Sequence, residues 1–534
     1  MFSQNKLNRI AMTYRLILMK GRAAHGDARK HLFGITRRAR NRLAKLGIVF
    51  RDRPDGAVDF KIKASRQVSV DMDFIQAEKI VKFIDSEKLT FGAPSKRGVS
   101  WALCLNTYDL QPNIADILTK TVPPLISEFA FLSRRFLISA LYNQDTDYHK
   151  TALFGVPAEV RDLWRKTAAV GPTFPYCYRP DIFITQSGKV VILEFNVDTR
   201  LDRGIAEGVT EYSRIFLPND RVRFVGTGIA SAYADATRGL ARSDRTSAAT
   251  VINRNFRGDY FAQEAFFCKR LSNHRNLDWR LLSMDDLSTD TSSGFVVDRT
   301  NGQRLDLLNF EFELLDGPWK LRVNEVQFAD SALGCRNTDL LGATLPFSDK
   351  LLFSVASQSG NASDSLKSIL CPTWLLDEDL CRRASALHHS PSDTHYVLKP
   401  TGVFVDTTGS KGVVVSSDVS NVEWDAALEK ALRDIRAGSG GWVLQPRIVP
   451  QKYPVRYRYS LNGETREDNC FVRLSAYYTL ASGMHVGPEE DVRPQYSLAG
   501  AVATAGTDEE TLRKGLFTIR GLRRSTYMGV TTTL

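Results

Sequence analysis

No apolar run in this sequence approaches the ~18 uninterrupted residues that a membrane-spanning helix requires, so an integral helical membrane protein is not expected. An apolar h-region followed by a small-residue cleavage site is also missing near the start, which argues against secretion and makes the cytoplasm the expected compartment. Seven cysteines (Cys104, Cys177, Cys268, Cys335, Cys371, Cys381 and Cys470) are scattered, odd in number and never in Cys-x-x-Cys spacing. They supply neither a disulfide framework nor a zinc site, and fit buried or incidental thiols in a reducing environment. No internal repeat with a period of about 20 to 50 residues is visible, which excludes the common solenoids and propellers.

What is present is an ordinary globular composition, with 43% hydrophobic and 25% charged residues over 534 positions. That length predicts two to four domains or subdomains rather than one core. The net charge of +11 belongs to one end. Residues 1–66 hold 17 Lys and Arg against 4 Asp, and the remainder is close to neutral. A basic stripe can bind nucleic acid, but here no aromatics interleave with it and no binding motif is present, so nucleic acid is not an expected partner. A solvated basic helical extension over residues 1–66 is the expectation. The first 26 residues contain no acid, which is also how a transit peptide is composed.

The stretch on which the chain turns is Tyr178 to Asp198. Ile182–Thr185 and Val190–Phe195 are apolar or β-branched, and the polar Gln186-Ser-Gly-Lys189 between them predicts a β-hairpin. Alternate strand residues share a face, so Arg179 goes with Asp181 and Glu194 with Asn196. Pairing across the turn would gather two carboxylates, an amide oxygen and a guanidinium. Hard oxygen donors of this kind suit Mg²⁺ on a nucleotide phosphate, with the arginine beside the same phosphate. The same residues also fit an edge hairpin whose polar face meets water. A second hairpin-like pair over Leu305–Phe328 carries Glu311, Glu313, Asn324 and Glu325 and competes for the metal role; its Asn-Glu order lacks the alternation that puts both groups on one strand face.

Further along, Lys350 opens a helix, and Lys399 ends a strand that leads into the Gly-rich loop Thr401–Gly412. Backbone N–H groups of such a loop can fold over phosphate oxygens, although a strand–loop–strand is equally a plain hairpin. Trp442–Val449 reads as a strand with Gln445-Pro446 near its end. Tyr457–Leu461 and Cys470–Tyr478 pair as a long hairpin containing Arg473, for which Glu464 and Asp468 are alternative cross-strand partners. Leu480–Thr507, rich in Gly, Ala and Ser, is expected to be mobile. Five segments follow: a basic helical extension (1–66), a mostly helical subdomain (67–170), an α/β core with the hairpin (171–350), a lid subdomain (351–450), and a C-terminal part of the nucleotide-binding core with a mobile tail (451–534).

Taken in order, Arg-x-Asp, Leu-Glu-x-Asn-x-Asp-Thr, Ser-Asp-Lys, Leu-Lys-Pro with its Gly-rich loop and Val-Leu-Gln form a set that resembles the circularly permuted ATP-grasp proteins, a group that includes glutathionylspermidine synthetase-like ligases. The match runs from about Tyr178 to Tyr478. The resemblance implies an α+β fold in which two β-rich lobes clamp ATP. It implies that Asp181, Glu194 and Asn196 hold Mg²⁺, and that Arg179 and Arg473 face the transferred phosphate. Lys350, Lys399 and the loop Gly409, Ser410, Lys411 and Gly412 would bind phosphates, and Gln445, Pro446 and Ile448 would line the adenine slot. The activity it implies is ATP-dependent joining of a small-molecule or peptide carboxylate to an amine. A phosphotransferase on the same scaffold and a non-catalytic nucleotide-binding scaffold are the alternatives. Arg200–Arg203 departs from the family pattern on the substrate side, and no amidase-like cysteine domain is present.

Overall fold

The computed structural model describes residues 48–52, 58–62, 72–87, 89, 103–143, parts of 147–165, 174–197, 203–214, 222–238, 246–252, 258–274, 276–290, 295–310, 336–339, 345–390, 394–402, 412–458, 464–481, 493–506 and 526–533. The chain divides into two compact units after Gln76. In the first, β1 (Ile48–Asp52) and β2 (Val58–Ile62) form an antiparallel pair. Where a basic helical extension was expected over residues 1–66, the described residues form this strand pair, and the remainder of the extension lies outside the described residues.

The second unit begins within α1 (Met72–Glu87), a helix of the segment expected to be mostly helical over residues 67–170. The next helical run carries Pro123-Pro124, a pair that local rules treat as a stop, yet its course is continuous through a π-turn at Ile117–Thr121 into α2 (Val122–Tyr142). The prolines fall in the first turn of α2, where their missing N–H groups cost least, and the wider π-turn absorbs the mismatch. The central hairpin forms as its alternation predicts: β3 (Cys177–Ile184) pairs antiparallel with β4 (Val190–Val197). Gly188 takes φ +78 in the turn, a conformation other residues rarely adopt.

After α3 (Arg203–Arg214) and α4 (Ile229–Arg238) comes a four-stranded parallel sheet. It is built from β5 (Thr246–Ile252), α5 (Gly258–Ser272), β6 (Leu277–Ser283), β7 (Leu307–Phe310) and β8 (Arg336–Asp339), in the strand order β8-β7-β5-β6. The described part of the second hairpin expected at Leu305–Phe328 is thus the strand β7, paired in parallel with β5 and β8. Its four polar candidates, Glu311, Glu313, Asn324 and Glu325, lie outside the described residues.

The helix α6 (Leu351–Gln358) precedes a separate β-rich lobe. Its elements are β9 (Trp374–Leu375), α7 (Glu378–His389), β10 (Tyr396–Pro400), β11 (Val414–Val415), α8 (Asn421–Arg436) and β12 (Trp442–Pro446). The sheet order is β9-β12-β10-β11, and α7 and α8 close one face around Trp424, Leu398, Leu428 and Leu444. Burying Trp424 fully is worth on the order of 2–3 kcal/mol. A capping box fixes where α8 begins: Ser420 accepts from the Glu423 N–H while the Glu423 side chain accepts from Ser420.

The chain then returns to the large sheet through β13 (Lys452–Arg458), β14 (Arg466–Leu480), β15 (Tyr496–Gly506) and β16 (Thr526–Thr533). One edge of β14 pairs first with β13 and then with β3; the other edge pairs with β15. Contrary to expectation, Tyr496–Gly506 is a buried strand and not a mobile segment. Both of its faces are covered, so the polar alternation that marks a half-exposed strand is absent. The small residues admit close packing, since a Cβ on Gly500 would stand 2.8 Å from Ile229 Cγ1.

Both connections to the β-rich lobe are fastened to the hairpin. On entry, the Cys371 N–H donates to the Ile192 carbonyl at 2.8 Å; on exit, the Gln451 N–H donates to the Ile184 carbonyl at 2.7 Å. The hairpin is therefore the floor on which the second lobe is mounted.

A candidate phosphate and metal site on the central hairpin

Register places the predicted residues side by side. Arg179 pairs with Asn196 and Asp181 with Glu194, and a bulge immediately beyond Asp181 shifts the ladder. Ser475 of β14 is the neighbour of Asp181 on the other edge of β3. Arg473, two residues before Ser475, shares its strand face, and it reaches Asp181 Oδ2 with Nη1 at 3.2 Å. The Ser475 hydroxyl donates to Asp181 Oδ1 at 2.9 Å, and Arg179 Nε stands 3.6 Å from the same oxygen. Asp181 is only 2% exposed. These donors replace the water that the side chain loses on burial. Arg473 is thus spent on Asp181 and not on Glu464 or Asp468.

Glu194 is the more open of the two acids. Lys350, at the start of α6, brings Nζ to 3.8 Å from Glu194 Oε2. Desolvation by burial raises the Glu194 pKa, but Lys350, Lys399, Arg473 and Arg179 together outweigh it and hold the carboxyl down at about 2. Those four cations come from α6, β10, β14 and β3, so the fold itself assembles them. Four positive charges facing two carboxylates leave a surplus that attracts an anion.

Asn196 completes the row. Its amide nitrogen is buried and has no hydrogen-bond partner among the described residues, and the same is true of Arg473 Nε. Gln445 is fully committed inside the fold: its amide donates to Thr373 Oγ1 at 2.8 Å and to the Leu193 carbonyl at 3.4 Å, tying β12 to β4. Pro446 ends β12 and Ile448 follows on the exit connection; both are half-buried. Gly412 turns at φ +72 against Pro400, while Gly409, Ser410 and Lys411 lie outside the described residues. Cys371, close to Lys399, is kept protonated because burial pushes its thiol up to about 11, so it offers no nucleophile.

The donors available for a divalent cation are two carboxylates and one amide oxygen; no group of three or more His, Cys, Asp or Glu poised for a metal occurs among the described residues. This oxygen set fits Mg²⁺, which binds through one or two carboxylates and completes its shell with water and substrate phosphate. A cavity of about 320 Å³ opens elsewhere on the sheet, between Arg214, Arg223, Gly226, Gly228 and Gly500. It contains none of these residues, and the convergence of charge gives the hairpin the stronger claim.

The sequence did not single out Ser475 or Thr373, which hold Asp181 and Gln445 in place. Ser475 was legible in principle, being two residues from Arg473 on the same strand face. Thr373 carried no comparable signal.

Two lobes on a hairpin floor, with a long antiparallel sheet beneath, are similar in fold to a solved glutathione synthetase-like protein. A glutathione synthetase-like effector from Globodera pallida, solved in its apo form, superposes with a TM-score of 0.52 over 86% of this chain and 96% of that one, at 11% identity. A putative gamma-glutamylcysteine synthetase from Methylobacillus flagellatus covers 73% of this chain and 83% of its own at 11% identity, but its TM-score of 0.32 is too low to weigh. At such identity the likeness concerns fold alone. No family model and no curated protein matches the sequence.

Proposed function

We propose that the protein is an ATP-dependent carboxylate–amine ligase of the circularly permuted ATP-grasp kind, forming an amide through an acylphosphate. The observation that carries this reading is Glu194, held ionised at about 2 by four cations that converge from four separate elements. Such a cluster suits a triphosphate and its Mg²⁺ better than it suits any role within the fold. Asp181, Glu194 and Asn196 would hold the metal, with Asp181 released from Arg473 as that arginine turns to phosphate. Mg²⁺ bound there would neutralise charge on the phosphate oxygens. Lys350, Lys399 and the Gly409–Gly412 segment would bind the phosphates, and the adenine would lie along the connection from Gln445 through Pro446 to Ile448.

In the first step a substrate carboxylate oxygen attacks the γ-phosphorus. The bond to the bridging oxygen breaks, ADP leaves, and an acylphosphate remains. In the second, an amine nitrogen attacks the acyl carbon, phosphate departs with the electron pair of the C–O bond, and the ammonium proton is lost to solvent or phosphate. Phosphoryl transfer needs in-line positioning and cations against developing oxygen charge, and Arg179 and Arg473 would supply them. Removing one such contact typically costs ~10² or more in rate.

The test is ADP release across a panel of amino acids, dipeptides and polyamines, with Glu194→Ala as the blank and the products weighed by mass spectrometry. An ATP-dependent amide is expected. A stable phosphorylated product would favour a phosphotransferase, and nucleotide binding with no turnover across the panel would favour a non-catalytic scaffold.

A further inference from the structure

Asp349 stands between the two lysines that act on Glu194. It directly precedes Lys350, the N-cap residue of α6, and is 3% exposed. Its Oδ1 accepts two backbone N–H groups, from Leu351 at 2.9 Å and from Gly402 at 3.0 Å. The first bond closes the start of α6. The second reaches into the other lobe, three residues beyond Lys399, where Gly402 turns at φ +103. That point is itself anchored, because the adjacent Thr401 N–H donates to the Gly441 carbonyl at 2.8 Å, at the head of β12.

We propose that Asp349 is a positioning residue: a single buried carboxylate oxygen fixes the separation of Lys350 and Lys399, so that both ammonium groups converge on one phosphate beside Glu194. The inference rests on the nucleotide-site reading above. Capping α6 would need only the bond to Leu351; the bond to Gly402 joins the lobes and sets the two cations in register. Charge-assisted bonds to backbone N–H groups are among the stronger hydrogen bonds, and deleting the acceptor removes both of these bonds at once.

The test is titration of the full-length protein with ATP and Mg²⁺, comparing wild type, Asp349→Ala and Asp349→Asn, alongside thermal unfolding of each. Asparagine keeps the Oδ1 acceptor, so it is expected to bind ATP within about threefold of wild type, while alanine weakens binding by about tenfold or more. Steady-state kinetics on the ATP-dependent reaction should show the alanine defect mainly in KM. Equal ATP affinity in wild type and a folded Asp349→Ala would overturn the inference, as would an asparagine variant as impaired as alanine. Failure of the wild type itself to bind ATP is a different result: it overturns the nucleotide site and the inference with it. If the alanine variant does not fold, hydrogen exchange in the wild type decides, because an unprotected Gly402 amide contradicts the clasp.

Discussion

Replacing Glu194 with glutamine keeps its shape and removes only its charge. The folded carboxyl titrates at about 2 against an ordinary 4.5, because the pull of Lys350, Lys399, Arg473 and Arg179 exceeds the cost of desolvation. A carboxyl depressed by folding contributes stability that is fully present above its unfolded pKa and is lost as the pH falls from about 4.5 through about 2. The shift corresponds to roughly 3 kcal/mol at 1.36 kcal/mol per pH unit. With the side chain 29% exposed, solvent screening reduces this to about 1–2 kcal/mol. Glu194→Gln is therefore expected to be ~1–2 kcal/mol less stable than wild type at pH 7, with the gap narrowing steadily below pH 4.5. Urea unfolding of both proteins at pH 7 and pH 3 measures it. A gap of equal size at both pH values, or a glutamine variant more stable at pH 7, would refute the charge balance described here.

Glu128 of α2 is buried and accepts both the backbone N–H and the hydroxyl of Ser363, at 2.6 and 2.8 Å. Glu128→Ala should cost about 2–3 kcal/mol in unfolding experiments, and a loss under about 0.5 kcal/mol would show that water substitutes freely there. A Cβ on Gly204 would lie 2.0 Å from the Gln263 carbonyl oxygen, so Gly204→Ala must push α3 away from α5 and should lower the thermal midpoint by an amount worth at least ~1–3 kcal/mol; an unchanged midpoint would mean that the helices are less closely packed. Ser420→Ala removes one half of the capping box of α8 and is expected to cost ~1 kcal/mol, restored in part by Ser420→Asp, and an alanine variant as stable as wild type would argue against the cap.

The hairpin was legible because its signals are local. Two runs of β-branched residues, a short polar turn and period-two alternation suffice to bring Arg179, Asp181, Glu194 and Asn196 onto one face. Lys350, Lys399 and Arg473 could be located on their elements for the same reason. Their convergence on Glu194 could not be derived from spacing, since it depends on how α6, β10 and β14 return to the hairpin. Contacts such as Ser475 to Asp181 span 294 residues, and no local pattern encodes them. Tyr496–Gly506 was misread because a strand covered on both faces loses its alternation and its Ala and Gly content resembles that of a loop. Pro123-Pro124 misleads for a related reason: a π-turn just upstream, at Ile117–Thr121, lets the helix run through prolines that local rules treat as a stop.

The measurement that bears most directly on the nucleotide site is the affinity of a non-hydrolysable ATP analogue, with and without Mg²⁺, for wild type and Glu194→Gln. Wild type should bind more tightly when Mg²⁺ is present, and the glutamine variant should lose that dependence while its four cations still attract the triphosphate. Affinities that are the same with and without Mg²⁺ in the wild type, or a Mg²⁺ dependence that survives in Glu194→Gln, would contradict the site.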